Sequence, residues 1–283
     1  MLPLRTTCLN AILAIALTSA RADWRFDAET GWLYDSNLSN SDRAADEEHD
    51  WSWQSRARAA TGFQLARDLR LSLAGDVAGA VWHQYSGFNQ ISGGGSVLLR
   101  YRFGLGRNAP WISLENRIGY SAFDEDFRNG WDEAAHVRGG FSFNARFRLE
   151  GGYTYENSCT REEDVWSWCA HRGDVALIID LTAQLQLAIG YSYRDGDVIS
   201  YAVPPRPDVR AIAKNIENGN TTFDGPPRNA YKLNGQTHAV SVFANYALTK
   251  YLAIQAGYEF RATSHDPLQY ENHLVTAKLA FSY

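Results

Sequence analysis

The sequence predicts an all-β fold, a transmembrane antiparallel up-and-down β-barrel of about twelve strands. Three observations carry this expectation. Nearly every segment alternates apolar and polar residues with a period of two, so each strand has one apolar and one polar face. The connections alternate between tight and long, with the long ones on one side. The last segment, 273–283, sets His273, Val275, Ala277, Leu279, Phe281 and Tyr283 on one face and Leu274, Thr276, Lys278, Ala280 and Ser282 on the other, and it finishes on an aromatic.

Composition agrees. Aromatic residues make up 13% of the 283 residues, with nine Trp and fifteen Tyr against one Met, while 21% are charged. Aromatic girdles at two membrane interfaces around a polar interior account for both figures. Outside the N-terminus no stretch is apolar for the roughly eighteen residues that mark a spanning helix. A net charge of −5 gives no support for nucleic-acid binding.

Residues 1–22 have the pattern of a signal peptide. Arg5 supplies the positive start, 8–17 the short apolar core, and Ala20-Arg21-Ala22 the A-x-A cleavage site. Cys8 lacks the small apolar residues that precede a lipidated cysteine. The barrel domain is therefore expected over 23–283, in the bacterial outer membrane.

The strands follow in order. The first turns Phe26, Ala28, Thr30, Trp32 and Tyr34 outward and Asp27, Glu29 and Asp35 inward, before an acidic loop at 36–50. The second alternates Trp51, Trp53, Ala57 and Ala59 with Gln54, Arg56 and Arg58. The third carries Leu71, Leu73, Val77 and Val81 outward and Asp76 inward. The fourth sets Ile91, Val97, Leu99 and Tyr101 against Ser96, Arg100 and Arg102. The fifth sets Ile112, Leu114, Ile118 and Tyr120 against Glu115 and Arg117. The sixth, after a polar loop at 124–130, sets Trp131, Val137 and Phe141 against His136 and Arg138. A tight turn at Asn144-Ala145 leads to the seventh, with Phe147, Leu149, Tyr153 and Tyr155 outward and Glu150 inward. The eighth is expected near 172–181. The ninth carries Leu185, Leu187, Ile189 and Tyr191. The tenth carries Val240 and Val242, the eleventh Ile254 and Tyr258, and the terminal strand completes an even set.

The inward set is heavily charged and nearly balanced. The lumen-lining candidates are Arg56, Arg58, Asp76, Arg100, Arg102, Glu115, Arg117, His136, Arg138 and Glu150, with Arg70, Arg148, Arg172, Arg194, Arg261 and Lys278 on the same faces. Such a lumen is a polar channel with a transverse field, or it is filled by cross-barrel ion pairs.

Cys159 and Cys169 flank T-R-E-E-D-V-W-S-W in one expected outer loop, and in an oxidising periplasm they are expected to form a disulfide, the alternatives being two free thiols or a metal site that lacks two further soft ligands nearby apart from His171. Segment 196–236 holds most of the prolines. Val203-Pro204-Pro205-Arg206-Pro207 is expected to be extended, with Asp208 capping a short helix through Ile212 and Ile216 that stops at Gly219. A mobile surface loop is the preferred reading of this segment, and a lid over the lumen the alternative. Catalysis finds little support. His83-Gln84-Tyr85-Ser86 places its His and Ser on opposite faces of a strand, and no two histidines have ligand spacing, so neither metal nor cofactor is expected.

The signal peptide, the alternating strands and the final L-A-F-S-Y resemble those of bacterial outer-membrane β-barrel proteins of the porin-like kind. The ending resembles the signal read by the barrel-assembly machinery. Gly31-Trp32-Leu33-Tyr34-Asp35-Ser36-Asn37 resembles the opening barrel strand of surface lipoprotein assembly modifiers and some polysaccharide-export proteins. The resemblance implies outer-membrane lipids and the assembly machinery as partners, with an envelope or polysaccharide partner if the export likeness holds. The expected function is a passive channel for small hydrophilic solutes. The alternatives are a non-conducting surface or export-partner barrel and, third, an envelope lipid hydrolase.

Overall fold

The structure is a computed structural model that describes residues 23–106, 108–160 and 165–283. The expected signal peptide at 1–22 lies outside the described residues.

Alternation over runs of thirteen residues or more builds long strands: β1 (Asp23–Asp35), β2 (Asp50–Ala66), β3 (Leu69–Trp82), β4 (Gln90–Arg102), β5 (Trp111–Phe123), β6 (Gly130–Ser142), β7 (Phe147–Thr160), β8 (Trp168–Asp180) and β9 (Leu185–Ala202). Then come a one-and-a-half-turn helix α1 (Pro207–Ile212), a short strand β10 (Asn215–Asn220), and β11 (Arg228–Ala247), β12 (Leu252–His265) and β13 (Leu268–Ser282). All thirteen belong to one antiparallel sheet. Because β10 pairs only with β11, twelve strands form the ring. The ring closes where β1 meets β13, with Phe26 and Tyr283 exchanging backbone hydrogen bonds of 2.9 and 2.8 Å. Closure leaves the twelve-stranded ring without a free edge, as a membrane-spanning sheet requires.

Both described termini and the tight turns lie at one end. Three of those turns use the same device, a short polar side chain that accepts hydrogen bonds from backbone N–H groups two and three residues on. Asn144 accepts from Arg146 and Phe147 at 2.8 and 3.0 Å. Thr182 accepts from Gln184 and Leu185 at 3.1 and 2.9 Å, and Thr249 from Tyr251 and Leu252 at 3.1 and 3.0 Å.

The outer wall is apolar and uncovered. Val77, Val97, Leu114, Val137, Ile189 and Val242 stay exposed at mid-height. Exposed aromatics flank them at both rims, with Trp32, Trp53, Trp131 and Tyr191 towards the loop end and Tyr101, Phe141, Phe147 and Phe281 towards the turn end. This is the apolar band between aromatic girdles of an outer-membrane barrel.

The longest strands depart from the ring. β9 has 18 residues and β11 has 20, against the roughly 9–11 that a spanning strand needs. β8 leaves β9 at Gly196 and β12 joins β11 only from Gln236, so 197–202 and 228–235 rise above the rim as a ribbon to which β10 adds a third, short strand. The expected loop 196–236 is thus shortened to 203–227, because both of its ends continue the strands. The helix inside it is also shorter than expected. It starts at Pro207, Asp208 sits in its first turn without capping it, and Ile216 falls in β10.

Segment 203–227 is packed rather than a free surface loop. Val209 is fully buried against Tyr231, Leu233 and Leu268, and Phe223 is buried with Tyr85, Trp166 and Tyr201. These two clusters lie on opposite faces of the ribbon and supply the apolar burial that holds the segment down.

Candidate channel lumen

The ten predicted lumen residues all fall on inward positions of their strands, opposite the exposed apolar set. Most of them join in a network of ion pairs. Asp76 on β3 is its deepest carboxylate, with its side chain 3% exposed between Arg56 (3.4 Å) and Arg117 (2.9 Å). Arg117 reaches Asp76 from β5, across β4. Its path lies over Gly94, which stands between Asp76 and Gly119 in the register, and a β-carbon there would fall 2.9 Å from the guanidinium. Gly94 is therefore needed for close approach. Arg58 on β2 pairs with Glu115 on β5 at 3.2 Å and donates to Ser96 on β4, one of the two strands between them. Arg138 pairs with Asp174 at 3.2 Å, and His136 shares a 3.0 Å hydrogen bond with Thr154. Arg148 pairs with Glu150 at 2.8 Å. Further round the ring, Arg172 meets Glu156 at 3.1 Å, Arg261 meets Glu259 at 2.5 Å, and Lys278 approaches Glu29 at 3.6 Å.

These pairs run along the wall and stay wet. Arg56, Arg138 and Arg261 keep 40–45% of their side-chain surface exposed. A lumen plugged by cross-barrel pairs would bury them and incur the desolvation cost of a dry ion pair. Arg100 and Arg102, in contrast, form no ion pair among the described residues, and Arg100 lies 4.1 Å over the Trp111 ring.

At the loop end the chemistry changes. Connections 36–49, 83–89, 124–129 and 203–227 converge there with Trp166. Arg128, 8% exposed, ties the last three of these to Trp166. It donates to Glu125 (2.7 Å), Tyr201 Oη (2.8 Å) and Thr222 (3.0 Å), and its guanidinium lies 4.5 Å over Phe88 and 4.1 Å over Trp166. A second clamp is Arg206, which forks onto Asp42 at 2.6 and 2.9 Å and also meets Asp208 at 3.0 Å. Hydrogen bonds from Arg206 hold the Asp208 carboxyl down to about 2. A third joins Glu48 to Tyr85 Oη (2.5 Å) and to Arg228. Burial, with the Glu48 charge beside it, pushes the Tyr85 hydroxyl well above the usual phenol range. Together these loops form a roof. Beneath it lies a cavity of about 520 Å³ lined by Arg172, Arg194, Arg261, Glu156, Glu259 and Tyr270.

The cysteines correct an expectation. Cys159 and Cys169 lie within β7 and β8, not in the loop between them, and both thiols are free. The register explains this. Cys169 stands opposite Asn157, so Cys159 is its diagonal neighbour two residues along. Diagonal neighbours sit ~7–8 Å apart, beyond the usual Cα reach of a disulfide. Asn157 Nδ2 instead donates to Cys159 at 3.3 Å, and Cys169 faces Asp197.

His83 and Ser86 do not meet as a dyad. His83 stacks on Trp51 at 4.8 Å, and Ser86 opens a 3-10 turn. His171, His238 and His273 share hydrogen bonds with Tyr153, Tyr191 and Tyr258 at 2.5, 2.8 and 2.7 Å.

The roof residues Arg128, Arg206, Trp166 and Phe223 were not legible as functional positions. The available signal was a set of aromatics, Tyr85, Phe88, Phe127, Trp166 and Phe223, in the connections rather than on the strands.

No protein-family model matches the chain, and no curated protein matches it by sequence. Solved structures do match its fold. The COG4313 outer membrane channel from Pseudomonas putida F1 aligns with a TM-score of 0.63 at 10% identity, covering 94% of this chain and 97% of that one. The NanC porin aligns with a TM-score of 0.50 at 11% identity, covering 90% and 98%. The fold is that of porin-like outer-membrane β-barrels, and the outer membrane is the compartment for which its exposed apolar band and girdles are built.

Proposed function

We propose that this protein is a passive channel for small hydrophilic solutes across the outer membrane. The observation that supports this best is the state of the lumen charges: a network of ion pairs along the wall whose arginines keep 24–45% of their side-chain surface exposed, rather than a dry plug. Two fold neighbours described as a channel and a porin agree with it. The lining is Arg56, Arg58, Asp76, Arg100, Arg102, Glu115, Arg117, His136, Arg138 and Glu150. The surrounding lipids are its permanent partners, and the assembly machinery acts on it during insertion. Planar-bilayer recording of the refolded protein tests the proposal. Discrete conductance steps are expected, and a folded barrel that stays silent at all voltages contradicts it.

One observation favours a second reading. The outer mouth is roofed by loops held by buried ion pairs, and the β9–β11 ribbon projects beyond the rim. A non-conducting surface or export-partner barrel would use that face to hold an envelope protein or a polysaccharide. This reading expects an envelope partner to co-purify and to be lost when 203–227 is deleted.

A further inference from the structure

Most arginines along the lumen wall have carboxylate partners, whereas Arg70, Arg100, Arg102 and Arg146 at the turn end form no ion pair among the described residues. Arg70 on β3 and Arg100 on β4 stand directly opposite each other in the register, a placement that repels. Arg102 lies two residues beyond Arg100 on the same face. Arg100 has Arg102, Arg148 and Arg70 as charged neighbours, with Glu150 the one opposing carboxylate in that set. The side chains respond by spreading apart. Arg70 lies back over Gly62, where a β-carbon would fall 2.4 Å from its Nη2, and Arg100 lies over Trp111.

Between Arg100 and β7 opens a cavity of about 420 Å³. Four arginines line it, Arg100, Arg102, Arg146 and Arg148, against two carboxylates, Glu150 and Asp180. Glu150 is engaged by Arg148 at 2.8 Å, and Asp180 accepts a hydrogen bond from Gln186 at 2.8 Å. The surplus is two positive charges, and Arg70 adds a third nearby. Like charges gathered in a half-enclosed cavity cost free energy unless a counter-charge joins them. Guanidinium groups present paired N–H donors that match the oxygens of a carboxylate or a phosphate.

We propose that the turn-end mouth of the lumen is a binding site for a small, multiply charged oxyanion, with Arg100 and Arg102 as its principal donors and Arg70 and Arg148 completing the positive field. Binding itself does not depend on conduction. Its consequence, preference for anionic solutes during passage, rests on the channel reading given above.

Calorimetric titration of the refolded, detergent-solubilised protein at low salt tests the site, with inorganic phosphate and citrate as separate probes and chloride as the competitor. Either oxyanion is expected to bind, more weakly as salt rises. In the double variant R100Q/R102Q affinity should fall about tenfold or more. The charge-keeping variant R100K/R102K should retain part of it, which separates loss of charge from loss of fold. Absence of binding for both probes, or equal binding by wild type and R100Q/R102Q, overturns the site. Reversal potentials in a salt gradient provide the second arm. Anion preference that weakens in R100Q/R102Q supports the consequence for passage. Intact binding in a barrel that never conducts removes the channel reading and leaves the site standing. Conductance without binding removes the site and leaves the channel.

Discussion

Arg117 donates two hydrogen bonds to Asp76, from Nε at 3.2 Å and Nη2 at 2.9 Å, and to do so it crosses an entire strand over Gly94. The pair ties β3 to β5 on the lumen side, with Arg56 on β2 as its third member. One carboxylate therefore joins three strands, β2, β3 and β5, across the span of four, and the glycine on β4 leaves room for the link.

Asp76→Ala leaves Arg56 and Arg117 facing the lumen without their counter-charge. The expected cost is about 1–2 kcal/mol, because the hydrogen bonds of a buried carboxylate are lost while the two guanidiniums left behind, 40% and 24% exposed, can turn to water. Gly94→Leu should cost a comparable amount by displacing Arg117. Its β-carbon would also press on the Ile118 carbonyl oxygen, only 2.7 Å away. The shift of the urea midpoint for loss of heat-modifiable gel mobility measures both. A wild-type midpoint in either variant would show that the pair carries no stability.

The roof makes a separate prediction. Arg128→Ala removes the donor shared by Glu125, Tyr201 and Thr222 and the cation over Phe88 and Trp166. Its local cost is about 3–5 kcal/mol, enough to loosen loops that the barrel wall does not hold. Larger or more frequent conductance steps are expected, together with faster protease cleavage within 203–227. Unchanged cleavage would mean that the apolar clusters alone hold the roof.

Acid should loosen the same roof through Asp208. Hydrogen bonding from Arg206 lowers its pKa from 3.8 to about 2, so the folded state binds its proton less readily than the unfolded one. The stabilisation is complete above about pH 4 and is lost as pH falls through the interval down to about 2. Fluorescence that depends on Trp166, read as the difference between wild type and W166F, should be steady from about pH 7 to 5 and change only below about pH 4. In D208N that acid step should shrink.

Cys159 and Cys169 are expected to take up two maleimide groups per chain under denaturing conditions without reductant, as counted by mass spectrometry. Uptake only after reduction would show a disulfide and a shifted β7–β8 register.

Much of the barrel was legible because alternation is a local signal. Each strand separates its own faces, so the inward placement of Arg56, Asp76 and Arg117 followed from parity alone. Their partners did not follow, because Arg117 reaches Asp76 only through a three-strand register and the gap at Gly94. The cysteines misled for a related reason. Proximity in sequence suggested a bridge, but β7 and β8 continue far enough to hold both residues in register and out of reach. The roof was least legible. Arg128, Trp166, Phe223 and Arg206 come from separate stretches of the chain, and only closure of the ring brings those stretches over one mouth. Segment 203–227 looked mobile from its prolines and glycines, yet Val209 and Phe223 supply apolar anchors that its composition hides.

Whether the wet, charged lumen conducts is decided by single-channel recording in planar bilayers, run in parallel on wild type and R128A. Discrete steps are expected in the wild type, and larger or more frequent ones in R128A. Heat-modifiable, folded barrels of both proteins that remain silent at every voltage would contradict a channel.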